Sequence, residues 1–284
     1  MIAALRPHRC SKPKPLRLIR PKMTMALGIL GRNCLVMASD TQVTWGSQKY
    51  QQGKIMSAWR AGPPPGAICV SGSGAGNHFA SAAQELVPKF QNFTGTLDVF
   101  ESELKAFVRS FYKTHVMPFI GRVDDPPDFE LLVGIQHDGE FALWTTDRTT
   151  VTKIIPYAVS GMGSPSASAL LGQFYQPFPS LNVTALLAAY VIRQAKLSAE
   201  GVGLETEIRF IYHNVASQIP DDKIQAWEAI FAKYQFLQRE VFAFITGFSP
   251  IVPRSCCTTS SNRLRLKRLF PCLDHASGPA ILVY

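Results

Sequence analysis

The order of its segments predicts that this chain is an α+β protein, a four-layer αββα sandwich of two antiparallel sheets between helix layers. Three observations carry the prediction. Strand-like and helix-like segments come in blocks (strands, two helices, strands, two helices, a strand, a last helix) without the strand-helix-strand alternation of a parallel sheet. The strands are short and separated by tight turns, which favours antiparallel pairing. Between two apolar runs, Asp138-Gly139 is a two-residue hairpin signal. A hydrophobic content of 46% over 284 residues is ample for a core and excludes a disordered chain.

The elements follow in order. Met25 to Leu30, Cys34 to Ala38 and Gln42 to Trp45 are apolar or β-branched runs broken by Gly31-Arg32-Asn33 and by Asp40, and they predict three strands. After the breaker Gly62-Pro63-Pro64-Pro65-Gly66, residues Ala67 to Val70 read as a buried strand running into a glycine-rich turn, Ser71 to Gly76. Helices are predicted from Asn77 to Phe90 and from Leu97 to Val116, the second with Phe100, Leu104, Phe107, Val108 and Phe111 at spacings of three and four. Strands return at Phe129 to Ile135, Phe141 to Thr145 and Val151 to Val159. Two further helices, Ser164 to Tyr175 and Val183 to Ala199, precede a strand from Glu205 to Tyr212; the first opens on Ser164-Pro165, with proline at an early helical position. Asp221-Asp222 caps a long last helix through Phe248, acidic where the helix dipole is positive. Residues 23–249 are expected to form one domain. Residues 1–22 are expected to be a disordered basic leader or a mis-assigned start, and residues 250–284 a disordered tail.

The formal charge of +9 invites a nucleic-acid function until it is divided along the chain. Residues 1–22 hold seven basic residues and no acid, and residues 253–284 hold five basic residues against Asp274, which leaves residues 23–252 with a net charge of −2. Basic residues confined to the flanks do not build a groove for phosphates, so no nucleic-acid partner is expected. Binding through the tails alone would be steeply salt-dependent and would vanish on trimming to 23–252. No apolar run reaches the roughly 18 residues of a membrane span, so a soluble, cytoplasmic protein without a membrane partner is expected. The six cysteines form no CxxC pair and no metal-ligand spacing, which fits a reducing compartment. The acid-free, arginine-rich leader also resembles an organelle transit peptide.

The ordered set Thr24-Met25-Ala26-Leu27-Gly28-Ile29-Leu30-Gly31, Leu35-Val36-Met37-Ala38-Ser39-Asp40, Val43-Thr44-Trp45-Gly46 and Gly53-Lys54-Ile55 resembles the opening of proteasome β-type subunits and the related bacterial ATP-dependent peptidase, which are N-terminal-nucleophile (Ntn) hydrolases. The resemblance is strongest from Thr24 to Gly72 and continues in register to the strand near Ile208. It implies the Ntn-hydrolase sandwich and a threonine-type peptide or amide hydrolase. Thr24, as the first residue of the mature chain, would be the nucleophile, and its own α-amine the base. Such an amine, with a pKa of about 7.7–8.0, suits the task. The resemblance further implies that Asp40 orients the site through Lys54, that the Lys54 ammonium favours the unprotonated amine, and that Gly72 offers its backbone N–H to the oxyanion. Val43 and Val70 match positions lining the substrate pocket, and Gly161, Gly163 and Ser164 match a supporting glycine-serine turn. Neither cofactor nor metal is implied. Partners would be a peptide or protein substrate, further copies or related chains in a ring, and an ATPase activator.

Taken singly, each residue has a plainer explanation. Thr24 is also an ordinary strand-leading threonine, Asp40 a turn residue and Lys54 a solvated surface charge. Gly72-Ser73-Gly74-Ala75-Gly76 imitates a dinucleotide-binding turn, although a helix rather than a second strand with a terminal acid follows it.

The pattern also departs from its relatives. Met162 stands where a supporting serine is found, and Ala199 to Gly203 do not reproduce an Asp-x-x-Ser-Gly motif, which leaves Ser198 or Glu200 as substitutes. The interval from Asp40 to Lys54 is about two residues short. Met162 and the missing motif favour the alternative of a catalytically inactive structural subunit, whereas a shorter loop can deliver the same lysine. Thr24 becomes terminal either by translation from Met23 and removal of that methionine, or by removal of a leader up to Met23.

Overall fold

The computed structural model describes residues 25–45, 48–123 and 127–246. Thr24, the leader 1–22 and the tail 250–284 lie outside the described residues.

The first hairpin follows from its sequence. Met25–Gly31 (β1) and Cys34–Asp40 (β2) are almost wholly buried apolar runs. They pair antiparallel from Ala26↔Ser39 to Gly31↔Cys34. Asn33 closes the turn at φ 55°, a left-handed conformation that asparagine tolerates. Gln42–Trp45 (β3) and Gln48–Gln51 (β4) form a separate two-stranded sheet. Met56–Arg60 (β5) leads to Gly66–Gly74 (β6), then to helices Gly76–Gln91 (α1) and Leu97–His115 (α2). Phe129–His137 (β7) and Glu140–Asp147 (β8) flank Asp138-Gly139, with φ of 50° and 81°; two successive positive φ values are what a tight hairpin turn requires. Thr150–Lys153 (β9), Tyr157–Gly161 (β10), Ser164–Phe174 (α3), Leu181–Ser198 (α4), Thr206–Tyr212 (β11), Val215–Gln218 (β12) and Asp221–Thr246 (α5) complete the order.

Among the described residues the protein is α+β, with three antiparallel sheets and five α-helices. One five-stranded sheet has the order β10-β1-β2-β11-β12 and the other β5-β6-β7-β8-β9. Three apolar clusters surround them. Phe79, Leu86, Phe90, Phe100 and Leu104 of α1 and α2 meet Ile68, Val70, Phe129, Leu131, Val133 and Trp144 of the second sheet. Ala188, Ile192 and Ala195 of α4 meet Leu27, Val36 and Ile208 of the first. The third cluster draws from both sheets, with Leu35, Met37 and Ile211 against Cys69, Leu132 and Leu143. In β7 the alternation is explicit: odd positions from Phe129 to Ile135 join the helix-side cluster, and Leu132 joins the inter-sheet one. The inter-sheet contact is close enough that a Cβ on Gly134 would lie 2.5 Å from Leu35 Cδ2.

Several boundaries differ from the sequence expectation. The glycine-rich segment Ser71–Gly74 is strand, not turn, because β6 stays in register with β7 as far as Gly74↔Phe129 and ladder hydrogen bonds override the weak strand propensity of glycine. The chain turns only after Gly74 (φ 110°), at Ala75. The single strand expected from Val151 to Val159 is two strands in different sheets, separated at Ile154-Ile155-Pro156, where proline has no N–H to offer a ladder. β4, β5 and β12 were not anticipated: each is only four or five residues long, and β4 is exposed throughout.

The chain divides inside α5, at Lys233, into two units. In the second, the described stretch is one helical segment with Tyr234, Phe236, Leu237 and Phe242 exposed. Among the described residues no helix is long and apolar enough to cross a membrane.

Candidate active site

The site is organised by Asp40, which ends the buried run of β2 and is itself fully buried. A carboxylate there persists only if donors replace its water shell. Four do so. Oδ1 accepts from the Met25 N–H at 2.9 Å and from Lys54 Nζ at 2.9 Å, and Oδ2 from the N–H groups of Gln42 (3.2 Å) and Gly203 (3.1 Å). These donors come from β1, from the start of β3, from the segment before β5 and from the segment before β11.

Lys54 is 7% exposed. Burial pushes its pKa below that of an ordinary lysine, against the pull of the Asp40 charge and hydrogen bond and, least, of the Glu207 charge. The short interval between Asp40 and Lys54 does deliver the lysine. The path is fixed by Gln52 N–H to Thr41 O (2.9 Å), by Lys54 N–H to Glu207 Oε2 (2.8 Å) and by Ser71 Oγ–H to Lys54 O (3.1 Å).

The glycine-serine turn lies at the same end of β1. Gly161, at φ 99°, pairs with Met25, and Ser164 Oγ donates to its carbonyl at 2.6 Å. A Cβ on Gly163 would lie 2.6 Å from the sulfur of Met25. Met162 occupies the position of the expected serine. In place of an Asp-x-x-Ser-Gly motif, the backbone N–H of Gly203 reaches Asp40.

Gly72 lies in the second sheet, opposite Leu131, where a Cβ would stand 2.0 Å from the Glu130 carbonyl oxygen. Two hydroxyls link its strand to the rest of the site. Ser71 holds the Lys54 carbonyl, and Ser73 Oγ lies 2.6 Å from Ser160 Oγ, which donates to Glu130 Oε2 at 2.6 Å. Ser160 in turn pairs with Ala26 of β1. Val43 is half-buried in β3, whereas Val70 is fully buried in the cluster beneath α1 and α2. The structure thus brings Asp40, Lys54, Gly161, Gly163 and Ser164 to the start of β1, with Gly72 joined through Ser71 and Ser73.

Glu207, Glu130, Ser73 and Ser160 escaped the sequence reading. The available signal was the pair Glu207 and Arg209, two charges at alternate positions of an otherwise apolar strand, the face that looks inward here.

No family model matches the chain, and no curated protein matches it. Solved structures do. Anbu (ancestral beta-subunit) from Yersinia bercovieri is 15% identical, with a TM-score of 0.62, over 82% of this chain and 100% of that one. The fold resembles that of Anbu. Anbu from Hyphomicrobium sp. strain MC1 is 15% identical, with a TM-score of 0.60, over 78% of this chain and 97% of that one. The Anbu complex from Pseudomonas aeruginosa, described as a helical assembly, is also 15% identical, with a TM-score of 0.60, over 81% and 99% of the two chains. These findings correct the expectation that the chain is a proteasome β-type subunit or a member of that Ntn-hydrolase family. At this identity the likeness to Anbu is one of fold.

Proposed function

We propose that the chain is an amide hydrolase acting on peptide bonds, in which Thr24, exposed as the amino-terminal residue, attacks the substrate carbonyl while its own α-amine takes the hydroxyl proton. The observation that carries this reading is the Asp40 carboxylate, which holds both the Lys54 ammonium and the Met25 N–H. That N–H belongs to the peptide bond joining Thr24 to Met25, so one planar unit separates the ion pair from the proposed nucleophile. The lysine charge disfavours protonation of the amine and lowers the cost of forming the alkoxide. Gly72 supplies the oxyanion donor, and Gly161, Gly163 and Ser164 shape the turn against β1. Val43, with part of its surface accessible, is assigned to substrate contact; Val70 is left with a packing role.

The three apolar clusters support a four-layer αββα arrangement as the scaffold. The helical assembly of the Pseudomonas aeruginosa Anbu complex supports self-association, and we assign the protein to the cytoplasm, with an ATPase as a further partner.

The test is a threonine-directed covalent inhibitor with mass spectrometry of the adduct. The label is expected on Thr24 at the amino terminus and is expected to be lost in a folded Thr24→Ala variant. Labelled material that retains residues 1–23 would refute the mechanism, because the base would then be an amide. Met162 at the serine position favours a second reading, an inert scaffold of the same fold. Failure of the chain beginning at Thr24 to form an adduct would select it.

A further inference from the structure

We infer that Glu207 is a positioning residue for Lys54, fixing the path of its main chain beside Asp40. The inference rests on the proposed hydrolase only for its kinetic consequence; its geometric content is independent of it.

Lys54 and Ile55 precede β5, and Glu207 Oε2 accepts from both of their N–H groups, at 2.8 and 3.3 Å. Gly53 makes this approach possible, since a Cβ there would stand 3.1 Å from the same oxygen. The other oxygen, Oε1, accepts from Arg209 Nε at 2.9 Å, and Arg209 Nη1 donates to Ser57 Oγ on β5 at 2.8 Å. The carboxylate is 6% exposed. It therefore ties the residue that carries the ammonium to β11 and, through Arg209, to the strand that follows. A loop fixed on both sides of Lys54 holds Nζ on Asp40 without relying on the ion pair alone.

The charge has a separate effect. Lys54 faces Asp40 from β2 and Glu207 from β11, with Arg209 beyond Glu207. Both carboxylates favour the protonated lysine against burial. Removing the Glu207 charge therefore makes Lys54 lose its proton at lower pH.

The experiment compares the wild-type chain with E207Q and E207A. Two readouts are used: the pH dependence of labelling by the threonine-directed inhibitor, and direct NMR titration of the Lys54 side chain, assigned with a Lys54→Met control. In E207Q, which keeps an acceptor oxygen but no charge, both the Lys54 titration and the alkaline limb of labelling are expected to move to lower pH. In E207A, which also loses the acceptor, labelling is expected to fall by about 10²-fold, the cost of a misplacement of about 1 Å. Coincident Lys54 titrations in wild type and E207Q would overturn the inference. A wild-type chain that takes no label would refute the proposed hydrolase, and the NMR titration would still decide the role of Glu207. Should E207A fail to fold, E207Q alone decides.

Discussion

Replacing Lys54 by methionine should cost stability as well as activity, and the size of the cost tests whether the ion pair is buried as described. With Lys54 7% exposed and Asp40 fully buried, removing the cation leaves a carboxylate stranded away from water. Breaking a buried pair from one side costs about 3–5 kcal/mol. Asp40 retains the backbone donors of Met25, Gln42 and Gly203, which hold the loss near the lower bound, about 3 kcal/mol. With a urea m-value of about 2–3 kcal/mol/M, the unfolding midpoint should fall by about 1–1.5 M. The control is Lys105→Met, the same substitution in the Lys105–Glu101 pair, whose lysine is 41% exposed. That pair should be worth about 0.5 kcal/mol or less. Urea titrations of the three proteins, followed by circular dichroism at pH 7, decide the matter. If the two variants lose the same stability, the assignment of Asp40–Lys54 as a desolvated pair is wrong.

Three more outcomes are expected. Because burial lowers the Lys54 pKa, the ammonium is lost below the 10.5 of an ordinary lysine, so inhibitor labelling should decline on the alkaline side at a pH under 10.5; a limb at or above that value would refute the role of the ammonium. Gly72→Ala puts a Cβ 2.0 Å from a backbone oxygen of β7, and forcing the strands apart should cost about 1–3 kcal/mol, read by thermal denaturation; an unchanged Tm would show that β6 and β7 do not meet this closely. Burial raises the Cys34 thiol pKa and pushes Cys69 up to about 12, so neither should be alkylated by iodoacetamide in the native protein at about pH 8; peptide mass spectra showing either one modified would count against the packing of β2 and β6.

The elements of this fold were legible wherever the local signal and the tertiary demand agree. Asp138-Gly139 announces its hairpin because Asp-Gly is among the few residue pairs that readily adopt two positive φ values. The stripe Phe100, Leu104, Val108 and Phe111 announces α2 because that face is the one buried. Legibility failed where pairing overrides composition. Ser71–Gly74 carries turn residues, yet its ladder with β7 continues as far as Gly74↔Phe129. The run Val151 to Val159 is apolar enough for one strand, but Pro156 interrupts its ladder and the chain changes sheets. Asp40, Lys54 and the Gly161–Ser164 turn were read from the sequence as parts of one pattern, and their convergence at β1 is a matter of geometry. Glu207 was not read, because the donors that tie it to Lys54 are backbone N–H groups more than 150 residues away, and a backbone donor leaves no trace in residue identity; only its pairing with Arg209 shows in the sequence.

The site depends on the fold in a specific way. A buried carboxylate is tolerable only when its donors arrive together, and the four donors to Asp40 among the described residues come from segments as far as 163 residues from it along the chain. None of those segments can supply the set alone. Asp40 is therefore costly in any partly folded state in which β1, the Lys54 segment or Gly203 is out of place, and it favours the one arrangement that completes its shell. Glu207 repeats the device one strand away, with two backbone N–H groups and a guanidinium on a single carboxylate. Two acids that would each destabilise an unfinished core thus fix the lysine from both ends, Asp40 at its ammonium and Glu207 at its main chain. The ammonium is held in place by the same bonds that close the sheets, so substitutions that loosen the site should also loosen the fold.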